Sequence, residues 1–187
     1  MWNIPNLLTL FRMLMIPAII YAFYSPSVAS YWTALFFSVA AVTDWLDGFL
    51  ARKLNQSTPF GALIDPLADK LMVSTTLVLL VSQHATIWLT IPAAIIIMRE
   101  ITVSGLREWM AQIGLRDKVK VSSMGKLKTT VQMLGILLLL IVQPAFDNEA
   151  IVFDGAMIIC YLLIYVAALL TLWSLLNYLK AAWPYLK

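Results

Sequence analysis

The sequence predicts an all-α integral membrane protein with six transmembrane helices and both termini cytoplasmic, and three observations carry that expectation. Of its 187 residues, 61% are hydrophobic and 12% charged, with a mean hydropathy of +0.86; soluble domains carry about 25% charged residues. The apolar residues gather into six stretches, each near the roughly 20 residues that cross a hydrocarbon core as a helix. All 13 Lys and Arg residues then fall on one side of a six-span chain.

The expected spans are Leu7–Phe23, Tyr31–Ala51, Ala62–Val81, Ile87–Leu106, Met124–Gln143 and Ile151–Leu172. Helices are required, because lipid cannot satisfy a backbone that is neither helical nor in a closed barrel. The runs are too long, and too free of period-2 alternation, for barrel strands. The first run reads as an uncleaved helix rather than a signal peptide: Ser27-Val28-Ala29 weakly resembles a cleavage site, but the early basic residue Arg12 lies inside the run. Ahead of it, Trp2 to Asn6 is expected along the membrane interface. Between spans two and three, Asn55 to Pro59 reads as a turn, with Thr58 as N-cap and Pro59 as the first helical residue.

The charges give sidedness. Arg12 lies near the N-terminus, Arg52 and Lys53 follow span two, and Lys70 opens span three. Arg99, Arg107, Arg116, Lys118 and Lys120 lie at or after the end of span four. Lys126 and Lys128 open span five, and Lys180 and Lys187 follow span six. The loops at 24–30, 82–86 and 144–150 hold no Lys or Arg, so the termini and the opposite loops are cytoplasmic by the positive-inside rule. The spans leave little chain for a soluble domain, and residues 1–187 read as a single membrane-embedded catalytic domain. A lone Cys160 excludes an intramolecular disulfide. His84, expected as a solvated loop residue, offers no partner for a zinc site. Asp147, Glu149 and Asp154 are expected as loop charges, and no nucleic-acid partner is expected.

Ionisable residues inside spans are costly and functional by default. Asp44 and Asp47 fall late in span two, Asp65 and Asp69 early in span three, Arg99 and Glu100 late in span four, and Lys126 and Lys128 early in span five. Because successive helices alternate direction, all of these lie toward the cytoplasmic face. Asp44, Asp47, Gly48 and Ala51 fall at i, i+3, i+4 and i+7 of one helix, and Gly61, Asp65 and Asp69 at i, i+4 and i+8 of the next. Two carboxylates from each helix therefore face a common seam, where small side chains permit close approach. Four carboxylates in a low-dielectric cavity repel unless cations neutralise them. Hard divalent ions such as Mg²⁺ suit an all-oxygen donor set, and a two-metal arrangement suits displacement at phosphorus. The simpler alternative is internal pairing with Arg52, Lys70, Arg99 and Lys126.

The run Asp44-x2-Asp47-Gly48-x2-Ala51-Arg52-x8-Gly61-x3-Asp65-x3-Asp69 matches every fixed position of the motif of the CDP-alcohol phosphotransferase family, which the chain resembles. The opening Asn3-Ile4-Pro5-Asn6-Leu7-Leu8-Thr9-Leu10-Phe11-Arg12, the pair Arg99-Glu100, and the stretches Ser104–Trp109 and Gly125–Thr130 are similar to members that use glycerol phosphate. The likeness covers spans one to five and weakens in span six. It implies the six-helix fold of that family, a cytoplasmic-facing site in a bacterial inner membrane, and a homodimer. It further implies transfer of a phosphatidyl group from CDP-diacylglycerol to sn-glycerol 3-phosphate with two Mg²⁺ or Mn²⁺ ions. In that scheme Asp44, Asp47, Asp65 and Asp69 bind metal, and Asp69 is also the base. Gly48 and Ala51 line the cytidine pocket, and Arg52, Gly61, Asn6 and Thr9 complete the CDP-lipid site.

The acceptor's own phosphate requires cations, and Arg99, Arg107, Lys126 and Lys128 are the expected set, drawn from candidates that include Thr9, Arg12, Arg116 and Lys118. Arg suits bidentate phosphate recognition, whereas Lys acts as a point charge. Rival acceptors are inositol phosphate and serine. An ion-coupled transporter would use intramembrane acids differently, but would show inverted repeats or broken helices, and the sequence has neither.

Overall fold

The computed structural model describes residues 3–25, 30–54, 58–115, 123–147 and 150–185. Within them the chain forms helices α1 (Ile4–Tyr24), α2 (Ser30–Leu54), α3 (Pro59–His84), α4 (Ile87–Gln112) and α5 (Ser123–Ile141). A small hairpin of β1 (Ala145–Asp147) and β2 (Ala150–Val152) follows, then α6 (Gly155–Ala182) and a single 3-10 turn, Trp183–Tyr185. The protein is helical and membrane-suited. Among the described residues, three stretches can cross a bilayer by length and composition, Asn6–Tyr24, Ile87–Gln112 and Gly155–Tyr185, and Leu127–Ile141 is a shorter apolar helix. Helices α2 and α3 are as long, at 25 and 26 residues, and each carries two of the four aspartates. Large apolar side chains face outward along the helices, among them Leu14, Leu63, Ile101 and Leu169, as a lipid solvent allows and water does not.

The chain separates into two compact units. The first comprises Met1–Gln83 with Leu137–Gln143. Here α1 packs along α2, and Ile19, Ala22, Ala34, Phe37, Ala40, Met72, Leu77 and Leu80 are buried. Hydroxyls in this apolar setting turn back onto their own helix: Thr43 Oγ1 donates to the Val39 carbonyl at 2.7 Å and Thr76 Oγ1 to Met72 at 2.8 Å. The second unit comprises His84–Ile136 with Pro144–Lys187. In it α4 packs along α6 through a cluster of Val103, Met110, Leu175, Tyr178 and Ala182.

Helix ends follow local chemistry more than the apolar runs do. Asn3 caps α1 by accepting the Asn6 N–H at 3.1 Å, so the segment expected along the interface is helical from Ile4; Trp2 lies outside the described residues. Thr58 caps α3 as expected, accepting the Gly61 N–H at 3.0 Å, with Pro59 opening the helix. Helix α4 runs past Leu106 to Gln112. It closes on Gly114 at φ +75°, where the Gly114 N–H bonds the Ala111 carbonyl at 3.1 Å and the Leu115 N–H bonds Met110 at 2.8 Å. The left-handed residue makes glycine the natural stop. Helix α6 begins at Gly155 rather than Ile151, because Ile151 and Val152 pair with β1 and Asp154 caps the helix by accepting the Met157 N–H at 2.8 Å. Asp154 is thus a cap rather than a plain loop charge; Glu149 lies outside the described residues.

His84 is also corrected. It is 1% exposed, and its Nδ1 lies 2.9 Å from the Tyr161 hydroxyl; the Tyr161 ring in turn meets Phe153 edge-on at 5.1 Å. Burial lowers its imidazole to about 4, so the ring is neutral at physiological pH.

Candidate active site

Three helices of the first unit build the site. The late third of α2 supplies Asp44 and Asp47, and the early third of α3 supplies Asp65 and Asp69. The helical spacing brings them together as the sequence predicts: carboxylate oxygens of Asp44, Asp47 and Asp65 all lie within 4.8 Å of one another. Asp47 is buried, with a side chain 3% exposed. Asp44, Asp65 and Asp69 are 32%, 39% and 37% exposed, so the cluster has a sealed floor and an open rim.

The third contributor is α1, through Arg12. Its side chain is 0% exposed, and the guanidinium ion-pairs with all four acids: Asp44 Oδ1 at 2.9 Å, Asp65 Oδ1 at 3.3 Å, and Asp47 and Asp69 in close contact. The sequence reading places Arg12 among the cations for an acceptor phosphate; the structure places it at the carboxylates. The signal was present, since Arg12 is a charged residue inside the first apolar run. A planar guanidinium with five donors can bridge several carboxylates where an ammonium cannot. Of the alternative partners Arg52, Lys70, Arg99 and Lys126, Arg99 pairs with Glu100 instead, and the side chains of Arg52 and Lys126 lie outside the described ones.

Four carboxylates against one guanidinium leave three negative charges in excess when all the acids are ionised. The donor set is oxygen only, clustered, and half open to approach. It fits a hard divalent cation that keeps some coordination positions for water or a phosphate.

The expected CDP-lipid residues divide. Asn6 and Thr9 are both buried on α1. The Asn6 amide meets Thr58 Oγ1, its Nδ2 donating at 3.0 Å, which ties the start of α1 to the cap of α3. Gly61 sits against this contact. A Cβ there would overlap Asn6 Oδ1 and lie 3.2 Å from Thr58 Oγ1, so the glycine permits the approach of α1 to α3. Gly48, Ala51 and Arg52 fall on α2, and their side-chain surroundings lie outside the described residues.

The expected acceptor cations lie in the second unit. Arg99 and Lys128 are 7% and 3% exposed and share Glu100. Arg99 Nη1 reaches Glu100 Oε1 at 3.2 Å, and Lys128 Nζ is in close contact with the same oxygen. Arg107 is exposed on α4 and does not join this group. Lys126 lies in α5 with its side chain outside the described ones, as do residues Arg116, Lys118 and Lys120 entirely. Sequence reasoning missed the part played by α6: Arg99 Nη2 donates to Ser174 Oγ at 2.7 Å, and the guanidinium carbon stands 5.7 Å from the Tyr178 ring centroid.

Known proteins resemble this chain over nearly its whole length. The family model described as CDP-alcohol phosphatidyltransferase matches residues 2–179. The chain is 52% identical over 187 residues to a Pseudomonas fluorescens protein named CDP-diacylglycerol–glycerol-3-phosphate 3-phosphatidyltransferase, covering 99% of this chain and 92% of the relative. Proteins of the same name from Haemophilus influenzae and Escherichia coli K12 are 50% and 51% identical over 182 residues, covering 97% of this chain and 94% and 95% of theirs.

Proposed function

The chain belongs to the CDP-alcohol phosphatidyltransferase family, and from that premise we propose that it transfers the phosphatidyl group of CDP-diacylglycerol to sn-glycerol 3-phosphate, releasing CMP and phosphatidylglycerophosphate. The observation that carries this reading is the convergence of Asp44, Asp47 and Asp65 within 4.8 Å, in a chain half identical to relatives that bear that activity as their name.

Asp44, Asp47, Asp65 and Asp69 would hold two divalent cations, Mg²⁺ or Mn²⁺, which when bound would supply positive charge against the pyrophosphate and departing CMP. The acceptor hydroxyl attacks the phosphorus that bears the diacylglycerol. A new P–O bond forms, the pyrophosphate P–O bond to CMP breaks, and the hydroxyl proton passes to Asp69. Gly48 and Ala51 line the cytidine pocket with Arg52, while Asn6, Thr9 and Gly61 hold the α1–α3 wall of the CDP-lipid site. Arg99, Arg107, Lys126 and Lys128 receive the acceptor phosphate.

The six apolar runs and the one-sided placement of the 13 Lys and Arg residues support six spans, cytoplasmic termini and a cytoplasmic-facing site, and the likeness to bacterial relatives supports a bacterial inner membrane. A single membrane-embedded domain and a homodimer complete the proposal. The test is CMP release from CDP-diacylglycerol by purified protein in mixed micelles, with Mg²⁺ or Mn²⁺ and a panel of alcohols. Release with sn-glycerol 3-phosphate, well above inositol phosphate and serine, is expected. No CMP with any acceptor would end the enzyme reading.

A further inference from the structure

Arg99 is held from three directions by groups of its own unit. Its Nη1 reaches Glu100 Oε1 at 3.2 Å, its Nη2 donates to Ser174 Oγ at 2.7 Å, and the Tyr178 ring lies 5.7 Å from its carbon. Tyr178 is itself fixed, buried in the cluster with Val103, Met110, Leu175 and Ala182. A guanidinium is thereby immobilised in a side-chain environment that is almost entirely buried. One donor is left over: Arg99 Nε is buried with no partner among the described residues.

An unmet buried donor is costly, and a charged one is rare in native structures. On the same helices as Lys128 and Ser174, Gln132 Oε1 and Thr171 Oγ1 are also buried without a partner among the described residues, but Gln132 Oε1 is an acceptor, and the unmet cationic donor is Arg99 Nε. The charged members sum to +1, with Arg99 and Lys128 against Glu100. Cationic, buried and with an unmet donor, the cluster suits an anionic oxygen ligand.

We propose that Ser174 and Tyr178 are positioning residues that hold Arg99 with its Nε edge turned to the phosphate of the acceptor, so that α6 sets selectivity for a phosphorylated alcohol. This rests on the phosphatidyltransferase reading above and adds to it a role for the helix in which the sequence likeness is weakest. Ser174 fixes the guanidinium plane by a hydrogen bond, and Tyr178 by stacking its ring against the cation. Glu100 keeps Arg99 and Lys128 together by sharing one oxygen.

The test is steady-state kinetics of Ser174→Ala, Ser174→Thr, Tyr178→Leu and Tyr178→Phe in mixed micelles, varying sn-glycerol 3-phosphate and CDP-diacylglycerol separately. A lost hydrogen bond to a charged group corresponds to roughly a 10- to 100-fold change. The expected result is a KM for sn-glycerol 3-phosphate raised about tenfold or more in Ser174→Ala and Tyr178→Leu, with kcat and the KM for CDP-diacylglycerol within about twofold of wild type. Ser174→Thr and Tyr178→Phe, which keep the hydroxyl and the ring, restore the acceptor KM. Should either disruptive variant prove too unstable to assay, the two conservative ones carry the test through thermal protection: they must be stabilised by sn-glycerol 3-phosphate as wild type is. An unshifted acceptor KM in Ser174→Ala, an equal loss for both substrates, or no protection of the conservative variants overturns the proposal while leaving an active wild type and its reaction in place. Wild type that releases no CMP overturns the reaction itself.

Discussion

Replacing Arg12 by Gln probes the one contact that ties all four aspartates together. The guanidinium is 0% exposed and its Asp47 partner 3%, so that pair behaves as a buried one, and breaking it costs about 3–5 kcal/mol. The other three acids are 32–39% exposed, and solvent screening reduces each of those pairs to about 0–1 kcal/mol. The buried pair therefore sets the magnitude. At roughly 2–4 °C per kcal/mol for a chain of this size, Arg12→Gln should melt on the order of 10 °C below wild type in detergent with EDTA. The carboxylates that Arg12 leaves are the proposed metal ligands, and divalent ions should take over their neutralisation. An ion at about 100 times its Kd contributes roughly 2.7 kcal/mol to wild type and variant alike, so saturating Mg²⁺ or Mn²⁺ should narrow the gap by the amount that carboxylates freed from Arg12 bind it more tightly, about 1.4 kcal/mol per tenfold in Kd. Arg12→Lys keeps the charge but not the planar fork, and should fall between the two. Differential scanning fluorimetry with and without the ion reads all of this. A melting gap that is the same in EDTA and in saturating divalent ion would show that Arg12 and the metals do not serve the same carboxylates.

Three further outcomes are expected. Asp69→Asn should retain CDP-diacylglycerol binding, read by thermal protection, while kcat falls by about 10²-fold or more; near-normal turnover removes Asp69 from the base role. Gly61→Ala should destabilise by about 1 kcal/mol, since overpacking against Asn6 Oδ1 costs about 1–3 kcal/mol and outweighs the roughly 1 kcal/mol that alanine gains in a helix. Adding Asn6→Ala should recover part of that loss, and strictly additive effects would place the clash elsewhere. His84, beyond the apolar stretch of α3, has its imidazole lowered to about 4 by burial, below the unfolded value near 6.5. Its contribution is present above the unfolded value and is lost as pH falls from about 6.5 toward 4, where the unfolded chain binds the extra proton. His84→Gln should flatten the melting temperature over that range relative to wild type, and an unchanged slope would count against the buried neutral ring.

The carboxylate site was legible because helical periodicity and membrane cost act together. An aspartate in a span has few reasons to be there, and i, i+3 and i+4 spacing fixes the face it occupies. Asp44, Asp47, Asp65 and Asp69 therefore announce both depth and direction, and the Thr58–Pro59 helix start is equally local. Helix ends elsewhere were less legible, since hydropathy reports where apolar residues stop and hydrogen bonding decides where helices do. Glycine at 114 and Asp154 carry the true boundaries of α4 and α6, while Arg107 and Ile151 mark only changes of polarity. His84 misled for a related reason: its burial depends on Tyr161, 77 residues away, and no local pattern contains that partner.

Arg12 shows where the same reasoning could have gone further. Counting charges by sidedness treats each cation as a topology signal, and beyond that Arg12 was considered only as a candidate for the acceptor phosphate. A cation inside a span carries the same cost as an anion, so Arg12 within the first apolar run required a partner as strongly as Asp44 or Asp65 did. The nearest uncompensated charges at that depth were the four aspartates. Pairing intramembrane charges by depth before assigning any to a ligand would have placed α1 in the site from the sequence alone. The same procedure pairs Glu100 with Arg99 and Lys128, as observed, and leaves one positive charge over in that trio, while Arg12 leaves three negative charges over among the four aspartates it contacts. Those residual charges are what a bound anion and bound divalent cations would each neutralise, and they have the signs that a phosphorylated acceptor and a metal-dependent displacement at phosphorus require.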